Sequence, residues 1–255
     1  MKYFCFTVDL EEMRLVADMG GEQKEEEDIY DVGEKGGEVL LDLLEEQGIK
    51  ATFFTTGIMA KKKGRLIRRL VKEGHELACH GYTHEDVRKN VSSIEKAKNV
   101  LDKFSKTIGF RAPMGKVNEE VLKEVSRLFK YDSSILPIYI PGRYNNLKYP
   151  VKPFKLDGLW EIPISCTWFR IPIGWYWFRN FGYSWTKFFS RFCSSPVVFN
   201  IHPWDVVEIP ERYNVRWDHR RNWDKTIAWL KKLIDFFKKD YKITTVRNYY
   251  KEALR

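Results

Sequence analysis

At 255 residues the chain has the length of one large α/β domain, and 44% hydrophobic with 15% aromatic residues supplies a sizeable core, which excludes a disordered protein. The formal net charge of +9 favours acidic surroundings. The basic residues are dispersed, however, with dense runs only at "KKKGR" (61–65), at "DHRRNW" (218–223) and along the C-terminal helix. No nucleic-acid-binding motif accompanies them, so no nucleic-acid partner is expected.

In chain order, "KYFCFTVDL" reads as a buried first strand that ends in carboxylates. From Ala17 to Gly37 an acidic, glycine-punctuated stretch predicts a long loop over the strand end. Glu38–Gln47 has helical periodicity and a stop at Gly48. "IKATFFTTG" is a second strand, "RLIRRLVKEGHE" a helix with a glycine stop, and "LACH" a short third strand. Ser92–Ile108 carries Ile94, Ala97, Val100, Leu101 and Phe104 on one helical stripe. After "GFRAP" come a helix over Glu119–Phe129, the segments "YDSSILP" and "LWEIPIS", and an aromatic segment from Trp168 to Phe192. "PVVFNIH", a helix over Trp223–Lys238 and "KITTV" complete the chain. Strands alternating with helices predict βαβ units around a parallel sheet in a single domain over residues 1–255.

Sites assemble at the carboxyl ends of such strands, and the polar residues of interest fall there: Asp9 and Glu11, His80 and His84, Arg111, Asp132 and His202. His80 and His84 are four residues apart, but Gly81 and Thr83 favour a strand-to-helix turn over a helix. An HxxxH pair is weak evidence for a metal by itself; a catalytic zinc takes three protein ligands plus water. Asp9, Glu11 and Glu12 offer the third. Asp9 and Glu11 share one face of a strand, so both aim into one pocket. Asp9 suits a general base, Arg111 can hold it ionised, and His202 at a strand mouth can protonate a leaving group.

The four cysteines lack CxxC spacing, which argues for buried thiols in a reducing compartment. "MKYFCFTVDLEE" reaches charged residues before a signal-peptide core can form, and no apolar run is long enough for a bilayer. The expected location is cytoplasmic. The segment "TWFRIPIGWYWFRNFGYSWTKFF" has three readings: a packed lid or barrel-closing helix, a platform for sugar rings, or an interfacial membrane patch.

Taken together, His80-Gly81-Tyr82-Thr83-His84, Arg111-Ala112-Pro113-Met114-Gly115 and Asn200-Ile201-His202, after the acids of "TVDLEE", resemble the motifs of the polysaccharide deacetylases, carbohydrate esterase family four, with its NodB-homology domain. "YDSSILP", "EIPIS", "PIGWYWFR" and "VVFNIHPWDV" are similar to the branch associated with exopolysaccharide and surface-glycan loci. The resemblance implies a distorted (β/α)7-type barrel with parallel strands and metal-dependent removal of acetyl, preferably N-acetyl, groups from a glycan. It implies Asp9 as catalytic base oriented by Arg111, and His202 as general acid. Glu11, His80 and His84 become ligands of a divalent metal, zinc by preference, with Glu12 an alternative to Glu11. Pro113, Met114 and Trp204 fall on the substrate side, with the Met114 N–H as oxyanion donor. The sequence departs from the family at Leu10, which stands where the common form has a second, adjacent aspartate, and at Asn200, which replaces a leucine. The partner of His202 stays open among Asp132, Glu161 and Asp205. The expected substrate is an acetylated glycan or a lipid- or nucleotide-linked sugar, which allows peripheral membrane contact. A C–N hydrolase acting on a small non-sugar amide and a catalytically decayed glycan-binding domain are the alternatives.

Overall fold

The computed structural model describes residues 1–13, 26–142, 144–209 and 222–255. Its elements are β1 (Tyr3–Leu10), α1 (Glu26–Glu46), β2 (Thr52–Thr55), α2 (Gly57–Lys62), α3 (Gly64–Lys72), β3 (Glu76–Cys79), α4 (Ser92–Leu101), β4 (Gly109–Phe110), α5 (Glu119–Leu128) and β5 (Tyr131–Asp132). They continue with β6 (Tyr139–Ile140), β7 (Tyr144–Asn145), β8 (Phe154–Leu156), β9 (Leu159–Glu161), α6 (Trp175–Ser190), β10 (Val197–Ile201), α7 (Trp223–Asp240), β11 (Lys242–Ile243) and α8 (Val246–Tyr249).

The main sheet runs β10-β1-β2-β3-β4-β5-β9, all neighbours parallel, with β8 added antiparallel at the β9 edge and β11 pairing with the start of β1. β6 and β7 form a separate hairpin. Between β9 and β10, Ser165 bridges the gap: its N–H donates to Val198 O (3.0 Å) and its Oγ accepts from the Val198 N–H (2.8 Å). This is the expected single-domain distorted (β/α)7-type barrel.

Strand pleating sorts the side chains into two cores. Phe4, Phe6, Val8 and Leu10 point outward into the layer between sheet and helices, where Leu40, Leu44, Leu230 and Phe237 meet them. Cys5 points the other way, into a smaller core of Phe54, Ala78, Tyr131 and Val198, joined by Val246 and Tyr249 of α8. Thr7, Asp9 and, just past the strand, Glu11 continue the inward row, so the bore of the barrel passes from apolar at its base to acidic at its mouth.

Two sequence expectations change. Residues 26–37 are helical rather than loop, while residues 14–25 lie outside the described set, as do 218–221 of the "DHRRNW" run. The glycines of α1 are there for close approach, not for turns. A Cβ at Gly33 would meet the Glu11 carbonyl oxygen at 2.8 Å, and one at Gly36 the Pro203 carbonyl oxygen at 2.1 Å. The stripe read over Ser92–Ile108 is helical only to Leu101, where Asp102 turns back to accept from the Thr107 N–H (2.8 Å).

Candidate active site

Across the carboxyl edge of the sheet, successive strands deliver His202 (after β10), Asp9 and Glu11 (β1), His80 (after β3), Arg111 (after β4), Asp132 (β5) and Glu161 (β9). β1 and β4 are three steps apart, about 14 Å across a flat sheet at ~4.8 Å per strand. Curling of the sheet closes that distance: Arg111 Nη1 donates to Asp9 Oδ1 at 2.6 Å across the bore.

Arg111 is fully buried and every part of its fork is used. Nη1 also donates to Thr7 Oγ1 (3.0 Å), Nε to Ser133 O (2.9 Å) and Nη2 to Ser133 Oγ (3.1 Å), while the guanidinium lies 4.0 Å over the Phe54 ring. Its backbone carbonyl accepts from His80 Nδ1 at 2.7 Å. A carbonyl can only accept, so Nδ1 carries a proton toward it and Nε2 turns to the opposite side.

On that side stands Glu11. Its Oε2 lies 2.8 Å from His80 Nε2 and 3.0 Å from His84 Nε2. This buried oxygen receives no hydrogen bond of acceptable geometry. Burial alone would push the Glu11 carboxyl up, but the imidazoles of His84 and His80 outweigh it and hold the group far below the usual carboxylate range. One atom from each of the three residues falls within 4.8 Å of the others. A carboxylate and two imidazole nitrogens facing one point, with the oxygen otherwise unsatisfied, is a donor set that fits a divalent cation. Glu12 is turned elsewhere: it accepts from Thr56 Oγ1 (2.8 Å) and from the His84 N–H (2.7 Å), anchoring the loop that carries His84. That loop leaves β3 through Gly81 at φ 73°, so the two histidines converge in a turn and not on a helix.

His202 faces the acids from β10, with Nε2 3.7 Å from Asp9 Oδ2 and 3.8 Å from Glu11 Oε1. Of the three acids considered as its partner, Asp205 is the neighbour: Oδ2 accepts from the His202 N–H (2.9 Å) and lies 3.5 Å from Nδ1. Asp132 and Glu161 engage each other instead, on adjoining registered strands. Trp204, expected on the substrate side, is only 2% exposed and stacks on the His202 imidazole (centroids 4.6 Å), supporting the ring from the protein side. Pro113 is also buried, packed toward Gly81, while Met114 is half-buried and held at φ 57°.

The polysaccharide deacetylase family profile matches residues 28–129, which include His80, His84 and Arg111 but not Asp9, Glu11 or His202. The chain is 36% identical over 91 residues to a chitooligosaccharide deacetylase from Sinorhizobium fredii, covering 32% of this chain and 42% of that protein. Against a peptidoglycan-N-acetylmuramic acid deacetylase from Bacillus subtilis it is 33% identical over 117 residues, covering 43% and 44%. The matched region thus spans less than half the length of these curated relatives. Among solved structures, the Xyl-CE4 domain of a multidomain xylanase from the hindgut metagenome of Trinervitermes trinervoides has the same fold, with TM-score 0.56 at 17% identity over 98% of this chain and 90% of that one.

Over residues 28–129 this chain is similar to the polysaccharide deacetylases. The deacetylase motifs left two neighbours of His202 unmarked. Trp175, the first residue of α6, sets its ring edge-on to the imidazole at 5.0 Å. Arg179, one turn further on and fully buried, brings Nη1 to 2.7 Å from Asp205 Oδ1. Burial would raise the Asp205 carboxyl, yet Arg179 and His202 together lower it. The sequence carried one signal for this cluster: no acid occurs between Glu161 and Asp205, so Arg179 had to find its counter-charge beyond the aromatic segment.

Proposed function

We propose that this chain is a metal-dependent hydrolase that removes acetyl groups, N-acetyl in preference to O-acetyl, from a glycan or glycan precursor. The observation that carries the reading is the convergence of Glu11 Oε2 with His80 and His84 Nε2, beside Asp9 and His202. Glu11, His80 and His84 would hold a divalent cation, with zinc matching one carboxylate and two imidazoles. When bound, such an ion polarises the acetyl carbonyl and lowers the pKa of a water.

The remaining roles fall to the chain's own groups. Asp9 keeps Oδ1 on Arg111, which leaves Oδ2, directed toward His202, to take the proton of the attacking water. His202 Nε2 delivers a proton to the leaving nitrogen as the C–N bond breaks. Asp205 and the Trp204 ring fix its orientation. The turn at Met114 supplies a backbone N–H toward the developing oxyanion in this scheme. The names of the relatives, which refer to chitooligosaccharides and peptidoglycan, support an acetylated amino sugar as substrate. A lipid- or nucleotide-linked sugar handled in the cytoplasm is part of the proposal.

The test measures metal content and acetate release from N-acetylglucosamine oligomers for wild type, Asp9→Asn and His80→Ala. Wild type is expected to carry stoichiometric metal. Asp9→Asn should retain it while losing about 10²–10⁴ in rate, and His80→Ala should lose the metal. Metal-free wild type, or full rate in Asp9→Asn, refutes the mechanism.

A further inference from the structure

Five aromatic side chains that a soluble protein would bury stand in solvent on one surface: Trp168 (68% exposed), Phe181 (55%) and Phe188 (53%), with Phe169 and Phe192. Their rings form one connected cluster. Phe181 stacks on Trp185 (4.7 Å) and Trp185 meets Phe189 (4.4 Å). Phe169 touches Phe189, Phe192 and Trp168, and Phe188 closes on Phe192 (5.6 Å). The patch is built rather than frayed. Trp168 N–H donates to Phe192 O (3.1 Å), and Thr167 pairs with Cys193, tying the loop before α6 to the turn after it. Arg170 clamps the loop from below through the carbonyls of Pro137, Leu147 and Tyr149.

The segment that carries the patch has charge of one sign. Between Glu161 and Asp205 the chain contains no acidic residue. Of its four cations, Arg179 is buried on Asp205 and Arg170 is engaged with carbonyls, while Arg191 is exposed and Lys187 lies at the flank over the Tyr183 and Phe236 rings. Exposed Trp and Phe beside Lys187 and Arg191, on a segment without acids, match the boundary between lipid headgroups and acyl chains. A sugar platform would instead offer single flat faces with hydrogen-bonding neighbours, and a self-interface would pair cations with acids on the opposing copy.

We propose that the face formed by Trp168, Phe169, Phe181, Phe188 and Phe192 docks the protein onto an anionic phospholipid surface, with Lys187 and Arg191 meeting the headgroups. The same helix sets Trp175 against His202, so one element carries both the lipid face and a wall of the site. The surface rests on its own geometry, and vesicle binding requires no catalysis, so it can fail or stand independently of the deacetylase reading.

The test is co-sedimentation of the full chain with phosphatidylcholine vesicles with and without phosphatidylglycerol, with fold checked by circular dichroism. Wild type should bind the anionic vesicles, and Trp168→Ser/Phe181→Ser/Phe188→Ser should bind at least about tenfold more weakly. Lys187→Glu/Arg191→Glu should abolish the preference for anionic lipid, which keeps the test decisive if the triple variant folds poorly. Three results overturn the proposal: wild type that ignores vesicles, a triple variant that binds as wild type does, or a dimer in sedimentation velocity that the triple substitution dissociates.

Discussion

Replacing Gly36 with alanine tests whether α1 is seated directly on the turn that carries His202. A Cβ there would lie 2.1 Å from the Pro203 carbonyl oxygen and 2.5 Å from its carbonyl carbon. Both are backbone atoms, so the helix or the turn must move until the gap reaches about 3 Å. Core overpacking costs roughly 1–3 kcal/mol, and this overlap belongs at the upper end. Against it, alanine gains about 1 kcal/mol over glycine inside a helix. The steric cost therefore wins by about 1–2 kcal/mol, which lowers the Tm of a chain this long by about 2–8 °C. Gly37→Ala is the control. Its nearest contact is Leu66 Cδ2 at 2.9 Å, the end of a flexible side chain, so the propensity gain survives and its Tm should match or exceed wild type. Thermal and urea unfolding decide between them. Because Pro203 follows His202, Gly36→Ala should also reduce turnover while metal content holds. A Gly36→Ala protein as stable as Gly37→Ala refutes the seating of α1 on that turn.

Two buried titratable groups give opposite pH limbs. Burial, followed by the charge of Lys50, holds His75 down to about 4, and its Nδ1 accepts from the Ala51 N–H (3.1 Å). The unfolded chain, near pKa 6.5, takes up the proton first. Stability from this group is therefore present above about pH 6.5 and lost toward pH 4, on the order of 3 kcal/mol. His75→Asn keeps an acceptor and should flatten that limb in urea titrations at pH 7 and pH 5; an unchanged slope refutes the assignment. Glu161 behaves inversely: burial, then the neighbouring Asp132 charge, raises its carboxyl well above the usual range, and burial lifts Asp132 to about 6. That contribution is present at low pH and lost as pH rises through the raised values. Glu161→Gln, whose Oε1 can still accept from the Ile135 N–H (3.0 Å), should unfold no earlier than wild type at pH 8. A clear destabilisation there counts against the raised Glu161 carboxyl.

What the sequence made legible follows from local physics. The strands β1, β2 and β3 are short apolar runs with polar residues at their carboxyl ends, and those ends carry Asp9, Glu11, His80 and, one strand further, Arg111. Features that depend on distant backbone were hidden. Gly33 and Gly36 look like loop punctuation until Glu11 and Pro203 are placed against them. Their i, i+3 spacing, which puts both on one helix face, was the readable signal. Asp205 lies three residues after His202, the spacing of a capping box, and its carboxylate does accept the His202 N–H. Trp204 was placed on the substrate side by its motif, and aromatic type alone does not reveal what its ring packs on. Its ring is spent on the His202 imidazole.

The Asp-Leu-Glu run at the end of β1 is the departure that most needed a physical account, and the pleat provides one. Adjacent residues of a strand face opposite sides, so two adjacent acids reach one pocket only where the backbone leaves strand geometry. Here the strand continues through Leu10, whose side chain is fully buried in the layer between sheet and helices. Asp9 and Glu11 stay on the bore side, two positions apart, and divide the work by length. The shorter Asp9 ends on Arg111, across the bore. The longer Glu11 reaches past the strand end to both imidazoles. Glu12, next along, turns back to Thr56 and the His84 N–H and sets the height of the loop that Glu11 meets. The extra methylene of glutamate lets an acid that starts one residue further along the chain reach both histidines, and the buried leucine between the acids locks their register.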